Sequence, residues 1–362
     1  MKLSDLYKDA LFLIAMKLDL PSLLRLCMTN KKIKEKIYKD IWIHKLKGFE
    51  KYWQCIGFEN KPLREVYIIL YRLTLFKKNT QFIANIYEIY NFTELNITNK
   101  NIMTFPNNFS VLINLKELDL SYNRLIIIPK AIQRLVNLET LDLSHNYIKE
   151  IPSEIKSLTF LQKLYLTNND IKSLSREIGH LTNLKYLYLS NNRLQTLPKE
   201  IKTLKLLRKL SLYSNEIVKI PKEISYLFNL KELNIINNLI QTIPKEISSL
   251  YNLQKLYLYN NEIKKIPKQL GKLYNLRILD LSNNRIKVIP KELSNLFYLE
   301  TLFLTNNMIE TIPKEFSNLQ NLRTLYIDNN RIKIFPNELK NIINLKIFDL
   351  RNNRVDLLLN QF

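Results

Sequence analysis

From Phe92 onward the apolar positions of the chain recur on a fixed grid of 23 residues. Aligned at Leu115, Leu138, Leu161, Leu184, Leu207, Leu230, Leu253, Leu276, Leu299, Leu322 and Leu345, the copies read L-x-x-L-x-L-x-x-N-x-[LI]-x-x-[LIF]-P-x-x-[ILF]-x-x-L-x-N. With a first copy starting at Phe92, twelve copies follow one another and no residue is inserted or lost. Inside each, x-x-L-x-L-x-x alternates with period two. This predicts a short strand with positions 4 and 6 facing inward and positions 3, 5 and 7 facing out. Stacked strands of this kind form a parallel sheet. Pro at position 15, from Pro106 to Pro336, fixes φ and opens a short helical turn. Ser175 replaces it in the fourth copy and Leu359 in the last. Asn at position 9, from Asn123 to Asn353, is expected to be buried, its amide meeting backbone groups left unpaired where the chain leaves the strand. Lys100 holds that place in the first copy.

Before Phe92 the period changes to that of a helix. Leu6, Leu11, Ile14 and Leu18 share one face at 3.6-residue spacing, and Pro21 stands where a new helix begins. Leu23, Leu24, Leu26, Ile33 and Ile37 continue a second apolar face. Residues 47–91 contain Trp53 and a helical stretch from about Pro62 to Lys78, with Leu63, Val66, Tyr67, Leu70 and Leu73 on one side. This segment is expected to cap the repeats, because an uncapped end would expose a slab of core.

A constant period in this range with an L-x-x-L-x-L-x-x-N core resembles the leucine-rich repeats. The Pro at position 15 makes the copies similar to the intracellular, small-GTPase-associated group of that family. The resemblance implies an α/β fold, a leucine-rich-repeat solenoid with a curved parallel sheet on its concave side and short helical turns on its convex side. A small all-α N-terminal domain precedes it. The expected domains are an F-box-like helical segment at 1–46, a helical linker or cap at 47–91, and the solenoid at 92–362, its last copy truncated. The F-box resemblance rests on Leu18 to Leu46: Leu18-Asp19-Leu20, Ser22-Leu23-Leu24-Arg25-Leu26, the basic turn Asn30-Lys31-Lys32 and the pair Ile41-Trp42. Leu6-Tyr7 and Ile33 depart from the family pattern. It implies that Leu6, Leu11, Ile14, Leu18, Leu23, Leu24, Leu26 and Trp42 dock on the Skp-type adaptor of a cullin ubiquitin ligase. The same helices could instead do no more than cover the end of the solenoid.

Composition narrows the setting. Cys27 and Cys55 are the only cysteines and both precede the repeats, so disulfide caps are not expected and an intracellular, reducing location is. Asp5, Lys8 and Asp9 interrupt the place of a signal peptide's basic region, and the apolar run VYIILYRLTLF, broken by Arg72, is too short to span a bilayer. The net charge of +22 raises nucleic acid as a partner. Residues 1–91 carry 17 Lys/Arg against 9 Asp/Glu, so the charge is spread along the chain and no basic tail holds it. An excess of Lys, Ile and Asn with four Gly is equally the composition of an AT-rich coding sequence.

For chemistry the sequence offers little. His44, His145 and His180 are scattered, and no zinc, nucleophile-elbow or phosphate-loop motif occurs. Asp119 and Asp142 occupy position 5 of neighbouring copies and would stand about 5 Å apart, as a carboxylate pair or as ordinary surface. No catalytic residue, cofactor or metal is expected. The candidate site is the concave face: Lys163, Tyr165, Lys185, Tyr186, Tyr188, Arg208, Lys209, Tyr213, Lys231, Lys255, Tyr257, Tyr259, Arg277, Phe303 and Tyr326. Tyr and Arg on a rigid surface give contact area at low entropy cost, as in protein-binding hot spots. An acidic protein is the expected partner. Single-stranded RNA, stacked on the same rings, is the alternative, and positions 2, 3, 5, 7 and 8 are where partner information should lie.

Overall fold

The computed structural model describes residues 15, 17–18, 22–23, 41–49, 62–80, 86–105 and 107–354. Two compact units divide the chain. One comprises Met1–Thr93 and Pro106–Asn114, the other Glu94–Phe105 and Leu115–Phe362.

In the first unit, helical residues 41–46 run into a 3-10 turn, Lys47–Phe49, and are followed by α1 (Leu63–Thr80) and α2 (Ile86–Tyr90). Pro62 opens α1, its carbonyl accepting from the amides of Glu65 and Val66 at 2.8 and 3.1 Å. The predicted apolar side of this helix forms: Val66, Tyr67, Leu70 and Leu73 are buried, while Leu63 is half-exposed. The Tyr67 ring lies 5.5 Å from Trp42 and meets the edge of Phe49 at 6.1 Å. Phe109, in the 3-10 turn Asn107–Val111, is fully buried in the same unit.

The second unit is a single twelve-stranded parallel sheet whose strand order is the sequence order. The strands are β1 (Glu94–Asn96), β2 (Glu117–Asp119), β3 (Thr140–Asp142), β4 (Lys163–Tyr165), β5 (Tyr186–Tyr188) and β6 (Lys209–Ser211). After them come β7 (Glu232–Asn234), β8 (Lys255–Tyr257), β9 (Ile278–Asp280), β10 (Thr301–Phe303), β11 (Thr324–Tyr326) and β12 (Ile347–Asp349). Every residue pairs with the one 23 places on, as Leu118 does with Leu141. Leu at positions 4 and 6 is therefore always turned to the core; a one-residue slip would expose the whole set. From Leu118 to Ile327 these side chains are at most 2% exposed.

On the far side of that core the second to eleventh copies each make a five-residue 3-10 turn after position 15, such as Lys199–Thr203 after Pro198. Pro198, at φ −68°, supplies the required dihedral without loss of a needed N–H. Ser175, in the place of Pro, caps its turn differently, its hydroxyl accepting from the Glu177 amide at 3.3 Å. The position-9 amides behave as expected. Asn146 Nδ2 donates to the carbonyls of Leu120 and Leu143 at 3.0 and 3.1 Å, and its Oδ1 accepts from the Leu125 amide at 2.9 Å. Each Asn thus links its own copy to the one before.

Position 8 corrects one expectation. From Asn99 to Asn352 its φ lies between 51° and 56°, the left-handed region that Asn tolerates best. Asn fills nine of the twelve places and only Tyr122, His145 and Ser214 depart. Position 8 answers to the backbone, so it carries little about a partner.

Candidate partner-binding face

Positions 3 and 5 of every strand point away from the core, positions 2 and 7 flank them, and the sheet face they make is zoned by charge. On β1–β3 stand Glu94, Glu117, Asp119 and Asp142, which line a hollow of about 290 Å³ with Asn96, Thr140 and Tyr165. The position-5 carboxylates also serve the fold. Asp119 Oδ1 accepts from the Ser121 amide at 2.9 Å, Asp142 Oδ1 from Ser144 at 2.8 Å and Asp280 Oδ1 from Ser282 at 3.0 Å. Asn234 does the same for Ile236 at 3.1 Å. Burial raises the Asp142 carboxyl above its ordinary value against the lowering bonds from Ser144; Asp119, paired with it in register, pushes it further up and His145 pulls it down.

β4–β8 are basic and aromatic. Tyr165 and Tyr188, paired across β4 and β5, stack at 4.8 Å with planes 4° apart. Lys209 Nζ lies 5.6 Å over the Tyr188 ring and 2.8 Å from Glu232. Burial draws the Lys209 ammonium down, but the hydrogen bond and charge of Glu232, with Tyr188 and Tyr257, raise it overall. Burial, then the neighbouring Tyr188 and Asp142, raises the Tyr165 phenol, and burial with Glu232 raises that of Tyr257 against the pull of Lys209. Lys163, Arg208 and Lys231 are exposed and Lys255 half-exposed, and none of the four has an ion-pair partner among the described residues.

The other expected residues are partly committed elsewhere. Lys185 Nζ donates to Gln162 Oε1 at 2.8 Å and Arg277 is bound to Glu300 at 2.8 Å, both within the position-2 row. The Tyr213 hydroxyl accepts from Asn191 at 3.2 Å, and that of Tyr259 from Asn283 at 3.0 Å. Tyr186 is half-exposed at position 3 of β5. Phe303 and Tyr326 stack at 5.4 Å as a second pair, set apart from Tyr257 by Asp280 on β9. Glu94 and Glu117 were missed as site residues, although their place at position 3 is plain from the repeat.

Of the adaptor-binding residues expected at the N-terminus, Leu6, Leu11, Ile14, Leu24 and Leu26 lie outside the described residues, as do Cys27, Cys55 and Leu359. Leu18 is half-exposed. Leu23 and Trp42 are fully buried. Among the described residues no group of His, Cys, Asp and Glu could hold a metal ion, and no helix is long and apolar enough to cross a membrane.

Family models for a leucine-rich repeat region match residues 168–265 and 265–357, and leucine-rich-repeat models match 91–148 and 136–178. The chain belongs to the leucine-rich-repeat family. Its structure is similar to that of a leucine-rich-repeat protein of Leptospira interrogans, with a TM-score of 0.71 and 38% identity over 74% of this chain and 68% of that one. The Arabidopsis receptor kinase HAESA, solved with the peptide hormone IDA and the co-receptor SERK1, gives a TM-score of 0.62 and 33% identity over 70% of this chain and 44% of that one. A plant peptide hormone receptor, RGFR1 in complex with RGF2, gives 0.60 and 32% over 72% and 48%. The repeat chain therefore spans about half of these receptor chains. No curated protein sequence matches it. Leucine-rich repeats are protein-interaction modules, and that coarse function holds for this chain.

Proposed function

We propose that the chain binds an acidic protein segment across β4–β8. The carrying observation is the row of four cations without ion partners among the described residues, Lys163, Arg208, Lys231 and Lys255, at positions 2 and 3 along β4–β8, beside the position-5 row that holds the stacked Tyr165–Tyr188 pair and Tyr257. Desolvating these cations against carboxylates gives charge-assisted bonds, and the rings supply rigid apolar area beside them. The acidic zone on β1–β3 favours protein over RNA, because a polyphosphate crossing the whole sheet would meet Glu94, Glu117, Asp119 and Asp142. A polypeptide of mixed charge can satisfy both zones, and HAESA and RGFR1 are repeat proteins solved with peptides. A peptide array tests this reading. Acidic peptides should be retained by the wild type and released by the variant with Lys163, Arg208, Lys231 and Lys255 replaced by Ser; equal retention of basic peptides or of single-stranded RNA would overturn it.

The finer roles implied by sequence, a ubiquitin-ligase substrate receptor or a signalling scaffold of the small-GTPase-associated type, rest on resemblance. An intracellular location is proposed on the cysteine count alone, Cys27 and Cys55 both preceding the repeats. Co-precipitation with a Skp-type adaptor, lost on deleting residues 1–46, supports the receptor role; no adaptor in the precipitate removes it.

A further inference from the structure

Away from the strand positions, between the strands and the 3-10 turns of the eighth to tenth copies, lies a hollow of about 620 Å³. Its apolar lining comes from Ile266, Val288, Pro290 and Met308. Val288 is 67% exposed, so its apolar side chain is open to a ligand in the hollow. Around this lining stand Lys264, Lys265, Lys287 and Arg285, at positions 10, 12 and 13 of their copies. Arg285 is held by Glu262 at 3.1 Å, whereas the three lysines have no ion-pair partner among the described residues. No acidic side chain lines the hollow.

We infer that this hollow is a second binding site, for a small amphipathic anion: an alkyl or aryl body bearing one carboxylate, sulfate or phosphate. Its volume falls within the roughly 300–1,000 Å³ of small-ligand pockets. The apolar walls would take the body of the ligand, and the lining lysines, with their long flexible side chains, would take the anion. A cationic amphiphile would meet three like charges, and a neutral one would leave them without counter-charge. The site is independent of the sheet face, which lies at other repeat positions.

Isothermal titration of the full chain with sodium decanoate, below its micelle concentration, tests the assignment. Saturable binding is expected, weakened about tenfold or more in Lys265→Glu/Lys287→Glu and in Val288→Glu, with decyltrimethylammonium not binding. All three side chains are exposed, and unchanged urea midpoints verify that the variants fold. Absence of saturable binding, equal binding of the cationic amphiphile, or wild-type affinity in both variants would overturn the site. So would binding confined to anionic phosphatidylglycerol vesicles, which would make this a membrane contact.

Discussion

Replacing Asn192 by Ala removes one rung of the amide ladder at the middle of the array, and the structure allows its cost to be worked bond by bond. Asn192 Nδ2 donates to Leu166 O at 2.9 Å and to Leu189 O at 3.0 Å, and Oδ1 accepts from the Ile171 amide at 3.0 Å. The two carbonyls are not left bare, because Leu166 O also receives Asn169 Nδ2 at 3.1 Å and Leu189 O receives Asn215 Nδ2 at 3.0 Å. The buried Ile171 N–H has no second acceptor. An orphaned buried donor costs about 1–3 kcal/mol and each of the two surrendered neutral bonds about 0.5–1.5 kcal/mol, so the total is about 2–6 kcal/mol. Asn192→Asp should be no better at neutral pH: it keeps an acceptor for Ile171 but sets carboxylate oxygen against two carbonyls. Urea unfolding followed by circular dichroism measures the loss. A fall in m-value would further show that the two halves of the array have lost their coupling. Asn353, half-exposed at the last rung, should cost less than half as much when changed to Ala. The reasoning fails if Asn192→Ala costs under about 1 kcal/mol, or if both positions cost the same.

Three further outcomes follow from particular side chains. Asp142 has a raised carboxyl, chiefly through burial, so the folded chain gains stability as pH falls through the folded value towards the unfolded one and carries a penalty above it. Asp142→Asn, which keeps an acceptor for Ser144 as Asn234 does for Ile236, should then be more stable than wild type at neutral pH, with the gain vanishing below about pH 4; a wild type that is more stable at neutral pH refutes this. A Cβ at Gly271 would stand 2.0 Å from the Glu292 carbonyl oxygen, whereas at Gly179 the nearest atom is 2.9 Å away. Gly271→Ala should lose about 1–3 kcal/mol of stability and Gly179→Ala less, and equal thermal midpoints would show that the turns part freely. Finally, Tyr122 and His145 hold left-handed backbone that Asn fills elsewhere, stacked at 4.0 Å. Replacing both by Asn should extend the ladder seen between Asn306 and Asn283 at 2.8 Å and raise stability by about 1 kcal/mol; a lower melting temperature would mean that the stack contributes more than the backbone strain.

Much of the fold is legible because one spacing governs it. A 23-residue period with apolar positions 4 and 6 fixes strand, register and core together, and Leu118 to Leu325 occupy the places that pattern predicts. The position-9 amides were readable for the same reason. Position 8 was misjudged because a left-handed dihedral leaves its mark as a preference for Asn, and three departures, Tyr122, His145 and Ser214, look like variation at a binding surface. Asp119 and Asp142 read as a carboxylate pair, yet each also bonds the amide two residues on, a local bond that residue type alone does not distinguish from chemistry. The zoning of the sheet face into acidic and basic parts was present at position 3, in Glu94 and Glu117 against Lys163, Lys209 and Lys255. It emerges only when charges are read across strands. The hollow beside Val288 depends on side chains from three copies and has no sequence signature.

The amide ladder has a bearing on how such a chain can change length. Each Asn reaches a carbonyl three residues back and another 26 back, one repeat and three residues away. Excision or duplication of one whole 23-residue unit returns every donor to an equivalent acceptor, while a gain or loss between a strand and its Asn breaks the rung, and one of odd size also flips the strand pattern. Whole units are thus the step in which this array can be lengthened or shortened by recombination, and each exchange within β1–β8 widens or narrows the acidic or the basic zone of the sheet by a single strand.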